Sequence, residues 1–214
     1  MINSQQNIEQ SLYTGFVKIN KQLTEQFLLK FNTEPISISY NRDTQKKVVY
    51  TRTPETVKYQ NNKWDSNFII CGSTNSLTVI DVDIIKSNAC TKLLPLLFKE
   101  ASSFTKTKNG FHFYFYYSEK LKSRSGGHLG YDILNDGTNA IAPNSVYVDG
   151  DDELITYQLF VHQDCETIGG LYELSDELIN LINDFESHPK NSRKLKIPEP
   201  IKLISENITQ QIIF

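Results

Sequence analysis

Two aspartates one residue apart, Asp81 and Asp83, interrupt the apolar, β-branched run LTVIDVDIIK at residues 77–86. Side chains on a strand alternate between its faces. Leu77, Val79, Asp81 and Asp83 therefore share one face, and Thr78, Ile80, Val82 and Ile84 the other. One face is packed throughout, while the second turns from apolar to anionic at the strand's end. Adjacent like charges repel unless a cation lies between them. A hard divalent ion, Mg2+ or Mn2+, suits carboxylate oxygens combined with substrate phosphates. The alternative is a pair of solvent-exposed aspartates at a strand end.

A second stretch, TKTKNGFHFYFYYS at 105–118, carries complementary chemistry. His112, Tyr114 and Tyr116 fall on one face of an aromatic strand, with Phe113 and Phe115 opposite. Gly110 lets the backbone approach a ligand closely. Lys106 and Lys108 precede it. Loop lysines followed by a strand-borne imidazole make a clamp for a triphosphate; the alternative is a histidine packed or exposed in an aromatic strand. A third carboxylate, Asp132, opens the next strand in GYDILNDG.

The elements that must position these groups can be read from periodicity and turn chemistry. QLTEQFLLKF (22–31) has helical spacing of Leu23, Phe27, Leu28 and Phe31, closed by Pro35. ISISYNRDTQKKVVYTR (36–52) reads as two strands around a polar turn, a hairpin decorated by Arg42, Lys46, Lys47 and Arg52. These cations either track a nucleic-acid backbone or only solubilise the hairpin. NFIICGSTNSLTVIDVDI reads as strand, turn, strand, with no phosphate-loop pattern in the turn. CTKLLPLLFKEASSF (90–104) is helical in composition, with Pro95 restricting where the helix begins. YDILNDGTNAIAPNS reads as two strands around an Asp136-Gly137 hairpin signal. SDELINLINDF is the clearest helix, capped by Ser175, with Leu178, Ile182 and Phe185 on one face. Beyond it, ESHPKNSRKLKIPEPIK reads as a linker, followed by a tail with apolar residues near helical spacing.

The 214 residues, 39% hydrophobic with twelve Phe and eleven Tyr, exclude a disordered chain. The three cysteines are scattered and form no C-x-x-C pair, so neither a disulfide framework nor a cysteine zinc site is expected. No signal peptide and no bilayer-length apolar run occurs, which predicts a soluble, intracellular protein without a membrane partner. The net charge of −3 hides an asymmetry. Residues 149–186 hold eleven Asp and Glu and no Lys or Arg, leaving 22 basic against 14 acidic residues (25 − 11) elsewhere. A mildly basic body can bind a polyanion, because phosphates respond to the local field. Ordinary solvated faces are the alternative.

The order of the pieces resembles a known family. An acidic strand VIDVDI, then TKTKNGFHFYF, then GYDILNDGTNAIAPNSV is similar to the N-terminal primase–polymerase domain of viral and plasmid replication proteins, in the archaeo-eukaryotic primase superfamily. The resemblance covers about residues 64–160, with Trp64 matching a Trp that often precedes the first motif. It implies an α+β, two-lobed fold with a catalytic RRM-like antiparallel sheet flanked by helices. Residues 1–187 would form the catalytic unit, with an N-terminal lobe at about 1–66 and the catalytic sheet at about 67–187. Residues 188–214 would be linker and tail, leading to a further unit such as a helicase in a longer parent chain.

The resemblance also implies roles. Asp81, Asp83 and Asp132 would be catalytic ligands of two Mg2+ or Mn2+ ions. His112, Lys106, Lys108, Asn109, Gly110 and Ser145 would bind the nucleotide. The implied activity is DNA primase or DNA polymerase chemistry on a single-stranded DNA template, with a primer and NTP or dNTP, in viral or mobile-element replication. The alternatives are a metal-dependent nuclease, a D-x-D glycosyltransferase and a non-catalytic nucleic-acid-binding module. Two departures stand out. Leu134 replaces the family's Arg, removing a phosphate or template contact that Lys120, Lys122 or Arg124 would have to supply. The usual P-P-S is Pro143-Asn144-Ser145.

Overall fold

Alternation of apolar residues in the aromatic and acidic strands produces a sheet with two different faces, and the rest of the chain is arranged around them. The computed structural model describes residues 13–51, 66–83, 89–125 and 129–187. Its strands are β1 (Phe16–Lys18), β2 (Thr33–Asn41), β3 (Lys46–Thr51), β4 (Ser66–Ile70), β5 (Leu77–Asp83), β6 (Ser103–Lys106), β7 (Gly110–Tyr116), β8 (Tyr131–Leu134), β9 (Asn139–Ile141), β10 (Val146–Val148), β11 (Leu154–Thr156) and β12 (Gln158–His162). Its helices are α1 (Lys21–Leu28), α2 (Ala89–Glu100) and α3 (Asp176–Ser187). Arg52, Trp64, Ile84 and the linker and tail lie outside the described residues.

A six-stranded sheet has the order β1-β12-β6-β7-β5-β8, a four-stranded sheet the order β3-β2-β4-β9, and β10 pairs with β11 alone. All these pairings are antiparallel. The fold is α+β.

The centre of one face of the six-stranded sheet is apolar. Ile80, Val82, Phe111, Phe113, Phe115 and Ile133 pack there against Leu93, Leu97 and Phe98 of α2 and Leu178, Ile182 and Phe185 of α3. Phe98 meets Phe104, Phe111 and Phe113 with ring centroids 5.2, 5.1 and 4.9 Å apart, all edge-on, the geometry the ring quadrupoles favour. Each such side chain contributes about 1.5–3 kcal/mol when fully buried. Ser175 starts α3 as the spacing predicts, its Oγ accepting from Leu178 N at 3.1 Å. It also donates to Glu100 at 2.7 Å, joining the end of α2 to the start of α3.

The opposite face is packed only in part. Leu77, Val79, Tyr114, Leu159 and Val161 are covered by Phe27 of α1 and by Ile69 and Ala140 of the four-stranded sheet. Asn20 caps α1, its Oδ1 accepting from Leu23 N at 2.9 Å. Past Val79 this cover ends, and β5 continues as Asp81 and Asp83.

Several local expectations are corrected. Helix α1 stops at Leu28, and Pro35 lies inside β2 opposite Asn67, where β3 does not yet pair with it. Pro95 sits inside α2 rather than at its start; burial of Leu93, Leu94, Leu97 and Phe98 outweighs the lost backbone bond. The helix ends at Glu100, and Ser103–Lys106 turns back into β6. Asp136-Gly137 does not close a hairpin. β8 pairs with β5 and β9 with β4, so the turn carries the chain from one sheet to the other.

The segment between β4 and β5 makes the same crossing. The two crossings are stitched by Asp136, which accepts from Ser73 N at 2.8 Å and from Tyr117 Oη at 2.7 Å. Gly72 has φ +95, and a Cβ there would lie 2.6 Å from the Asp136 Cα, so close backbone contact requires glycine.

Candidate active site

Strand register assembles the site. Asp81 of β5 stands opposite His112 of β7 on one side and Asp132 of β8 on the other. His112 in turn stands opposite Thr105 of β6. One transverse row therefore reads Thr105, His112, Asp81, Asp132, all on the partly packed face, with Thr105 and His112 buried. The next position on that face is Asp83, opposite Gly110.

The end of β5 is held by backbone. Asp83 N donates to Gly130 O at 2.8 Å, and the same carbonyl accepts from Cys90 Sγ at 2.8 Å, tying β5, β8 and α2 together. Gly110 is where β7 meets this end. A Cβ there would sit 1.7 Å from Val82 O, so only glycine allows the strands to pair through Asp83. The β6–β7 turn is closed by Thr107 N to Gly110 O at 2.9 Å and Gly110 N to Thr107 Oγ1 at 3.0 Å.

His112 is 4% exposed. Its Nε2 lies 3.5 Å from Asp81 Oδ1, and its ring centroid is 5.6 Å from that of Tyr157. Its Nδ1 is buried with no hydrogen-bond partner among the described residues. A buried polar atom in that state is costly, and such atoms concentrate where a ligand completes the bonding.

A cleft of about 100 Å3 opens over this row, lined by Asp81, Asp83, Asn109, Gly110, His112 and Tyr157 and walled by Lys47, Lys108 and Tyr147. It adjoins a larger cleft of about 540 Å3 that shares Lys47, Lys108, Asn109 and Tyr147 and extends to Tyr40 and Arg42. Lys108 is held at the rim by Asp149, with Asp151 3.6 Å away. Asp149 also accepts from Asp151 N at 2.9 Å and Glu153 N at 3.0 Å. Burial pushes the Asp149 carboxyl up, but the bonds from Lys108 and the two amides outweigh it and hold it below the ordinary carboxylate range. For Lys108, burial lowers the ammonium pKa and the Asp149 contact more than reverses this.

The structure thus brings Asp81, Asp83, His112, Lys108, Asn109 and Gly110 to one cleft. Asp132 stands beside Asp81 in register, on the edge strand, and is not among the residues lining the cleft. Lys106 is one residue out of phase with Thr105: it pairs with Phe111, whose side chain belongs to the helix-covered face, and it does not line the cleft. Ser145 is buried, donating to Asn67 O at 3.3 Å and accepting from Asn67 N at 3.2 Å, so it fastens the segment after β9 to β4. Sequence reasoning missed Tyr147, Tyr157 and Asp149, and left Lys47 open as a decoration of the hairpin. Only the acidic run at 149–153 carried a signal.

The donor set suits a hard divalent cation, because the oxygens are carboxylates on one face of one strand end. Among the described residues no group of three or more His, Cys, Asp or Glu side chains converges as a ready-made metal cage. Mg2+ is usually held by one or two carboxylates completed by substrate phosphates. No helix among the described residues is long and apolar enough to cross a membrane.

The family model described as bifunctional DNA primase/polymerase, N-terminal, matches residues 33–168, from the start of β2 to just beyond β12. The matched span contains Asp81, Asp83, His112 and Asp132. A comparison with curated proteins finds no match.

Proposed function

The chain belongs to the bifunctional DNA primase/polymerase N-terminal family, and from that premise we propose that this cleft performs template-directed nucleotidyl transfer with Mg2+ or Mn2+. The observation that carries the reading is the transverse row of His112, Asp81 and Asp132, with Asp83 one step further along β5 beneath a rim of lysines.

In this reading a primer 3′-hydroxyl gives up its proton to solvent as its oxygen bonds to the α-phosphorus of an incoming NTP or dNTP, the bond to the bridging oxygen breaks, and pyrophosphate leaves with that electron pair. Asp81, Asp83 and Asp132 are the residues that would hold one or two divalent ions. When bound, such ions acidify the attacking hydroxyl and neutralise charge on attacking and leaving oxygens. Asp81 keeps the His112 imidazole oriented, and His112 and Lys108 meet phosphate oxygens. Asn109 and Gly110 bring the β6–β7 turn close to the triphosphate. Catalysis is then mostly positioning and electrostatics, without a covalent enzyme intermediate.

The six-stranded sheet, with helices on one face and the polar row on the other, serves as the RRM-like catalytic sheet of a two-lobed unit. Residues to 187 act as that unit. A single-stranded DNA template, a primer and a downstream helicase are the partners, in viral or mobile-element replication.

Incubation with a primed single-stranded template, labelled nucleotides and Mg2+ or Mn2+ tests the reading. Metal-dependent extension is expected. Template shortening would instead indicate a nuclease, and binding without turnover an inert nucleic-acid module.

A further inference from the structure

Lys47 enters the cleft from a different sheet than every other residue at its centre. It lies on β3, the edge strand of the four-stranded sheet, opposite Tyr40 of β2. A hairpin lysine that only solubilises would project into water. The Lys47 ammonium instead donates to Tyr157 Oη at 2.6 Å. It also lies 5.9 Å from the ring centroid of Tyr147, within the reach at which an aromatic face attracts a cation.

Tyr157 is 2% exposed, and its ring packs beside that of His112, which touches Asp81. A short chain of contacts therefore leads from the ammonium to the first carboxylate. The Tyr157 phenol accepts the bond as a neutral group, since burial raises its pKa well above the ordinary value. The Lys47 ammonium carries N–H donors and no acceptor, so its bond to the phenol oxygen is a donation. The residue remains exposed, so a ligand can reach it. The other lysine lining the cleft, Lys108, is fixed by buried Asp149. Two held lysines lining one cleft with the carboxylates of Asp81 and Asp83 suit a polyphosphate chain with a metal-bound end.

We propose that Lys47 is a phosphate-binding residue of this cleft, set in place by Tyr157, and that the phosphate it takes belongs to the polyphosphate of the incoming nucleoside triphosphate. This rests on the nucleotidyl-transfer reading of the site.

The test uses the full chain, inorganic tripolyphosphate with Mg2+ as the probe of the phosphate contact, and a labelled single-stranded oligonucleotide as the probe of the strand contact. Lys47→Met keeps the aliphatic stem and removes the charge. It should weaken tripolyphosphate binding and raise the nucleotide KM by about tenfold or more, the loss of one charge-assisted hydrogen bond. It should leave kcat and oligonucleotide affinity in place. Lys47→Arg should recover most of the loss. Tyr157→Phe, which keeps the ring and drops the hydroxyl, should fall between.

Unchanged tripolyphosphate binding in Lys47→Met overturns the proposal. So does a loss confined to oligonucleotide affinity and its salt dependence, which would assign Lys47 to a strand phosphate. If Lys47→Met lowers the melting temperature and Lys47→Arg does not restore binding, the residue is structural and the proposal fails. Tripolyphosphate binding is read without turnover. An inactive wild type would therefore refute nucleotidyl transfer while still deciding the role of Lys47.

Discussion

Asp81 and His112 face each other directly across β5 and β7, with His112 Nε2 3.5 Å from Asp81 Oδ1. The contact joins an acidic strand to an aromatic one at the point where the packed face of the sheet gives way to an open cleft. It sets Asp81, a candidate ligand for a cation, directly beside the imidazole.

Asp81→Asn and Asp83→Asn should each lower metal-dependent nucleotide incorporation by ~100-fold or more, as expected when an oriented charge is removed from a transferring centre. Neither should lower the melting temperature, because each removes like-charge repulsion at the end of β5. Primer extension and thermal melts on the same preparations check both halves. Full activity in either variant would remove that residue from the site.

His112→Gln keeps a polar side chain of similar reach while losing the imidazole. Nucleotide KM should rise about tenfold, the equivalent of one hydrogen bond to a charged group, with template affinity intact. If the kinetics are normal and only the melting temperature falls, His112 packs the strand and does not bind the nucleotide.

Gly110→Ala tests the register itself. The added Cβ would sit 1.7 Å from Val82 O, so β7 must part from β5 at the end that carries Asp83. We expect a loss of about 1–3 kcal/mol or more in stability, together with loss of incorporation, measured by denaturant unfolding and primer extension. A stable, active Gly110→Ala protein would contradict the pairing of Asp83 with Gly110.

The Lys108–Asp149 pair sets a pH dependence. The folded Asp149 carboxyl is held below its ordinary value of 3.8, so its stabilisation is fully present above about that pH and disappears as pH falls through the folded pKa. Lys108 is shifted up from 10.5, so its share is present below that value and is lost as pH rises through the folded pKa. The stability gap between wild type and Asp149→Asn should therefore hold across neutral pH. It should shrink both below about 3.8 and at strongly alkaline pH. Unfolding curves across that range would show it, and a gap that does not change with pH would refute the pairing.

The acidic strand, the aromatic strand and the third carboxylate were legible because a strand's two faces follow from alternation alone. Asp81 and Asp83 had to share a face with Val79, and His112 with Tyr114, whatever the fold around them. Parity alone would put Lys106 and Lys108 on one face, and the strand end separates them: Lys106 still pairs in β6, opposite Phe111, whereas Lys108 sits in the turn and meets Asp149. Sequence reading grouped the two lysines because neighbours in the chain look alike until the strand end is known. Pro95 and Asp136-Gly137 misled for a related reason. Local propensity is a weak constraint, and burial of Leu93 and Leu97 or the pairing of β8 with β5 outweighs it.

By itself, then, the sequence determined which side chains share a strand face, where α3 begins, and that carboxylates, imidazole and glycine occur in a spacing suited to phosphate chemistry. These follow from covalent geometry and short-range periodicity. Tertiary structure alone decided that Asp81 lies between His112 and Asp132, that β4 and β5 belong to different sheets, and that Lys47 crosses from one sheet to reach Tyr157 over the other. Those relations join residues as many as 110 positions apart. They depend on which strands find each other when the apolar faces are buried, and no local pattern encodes that choice.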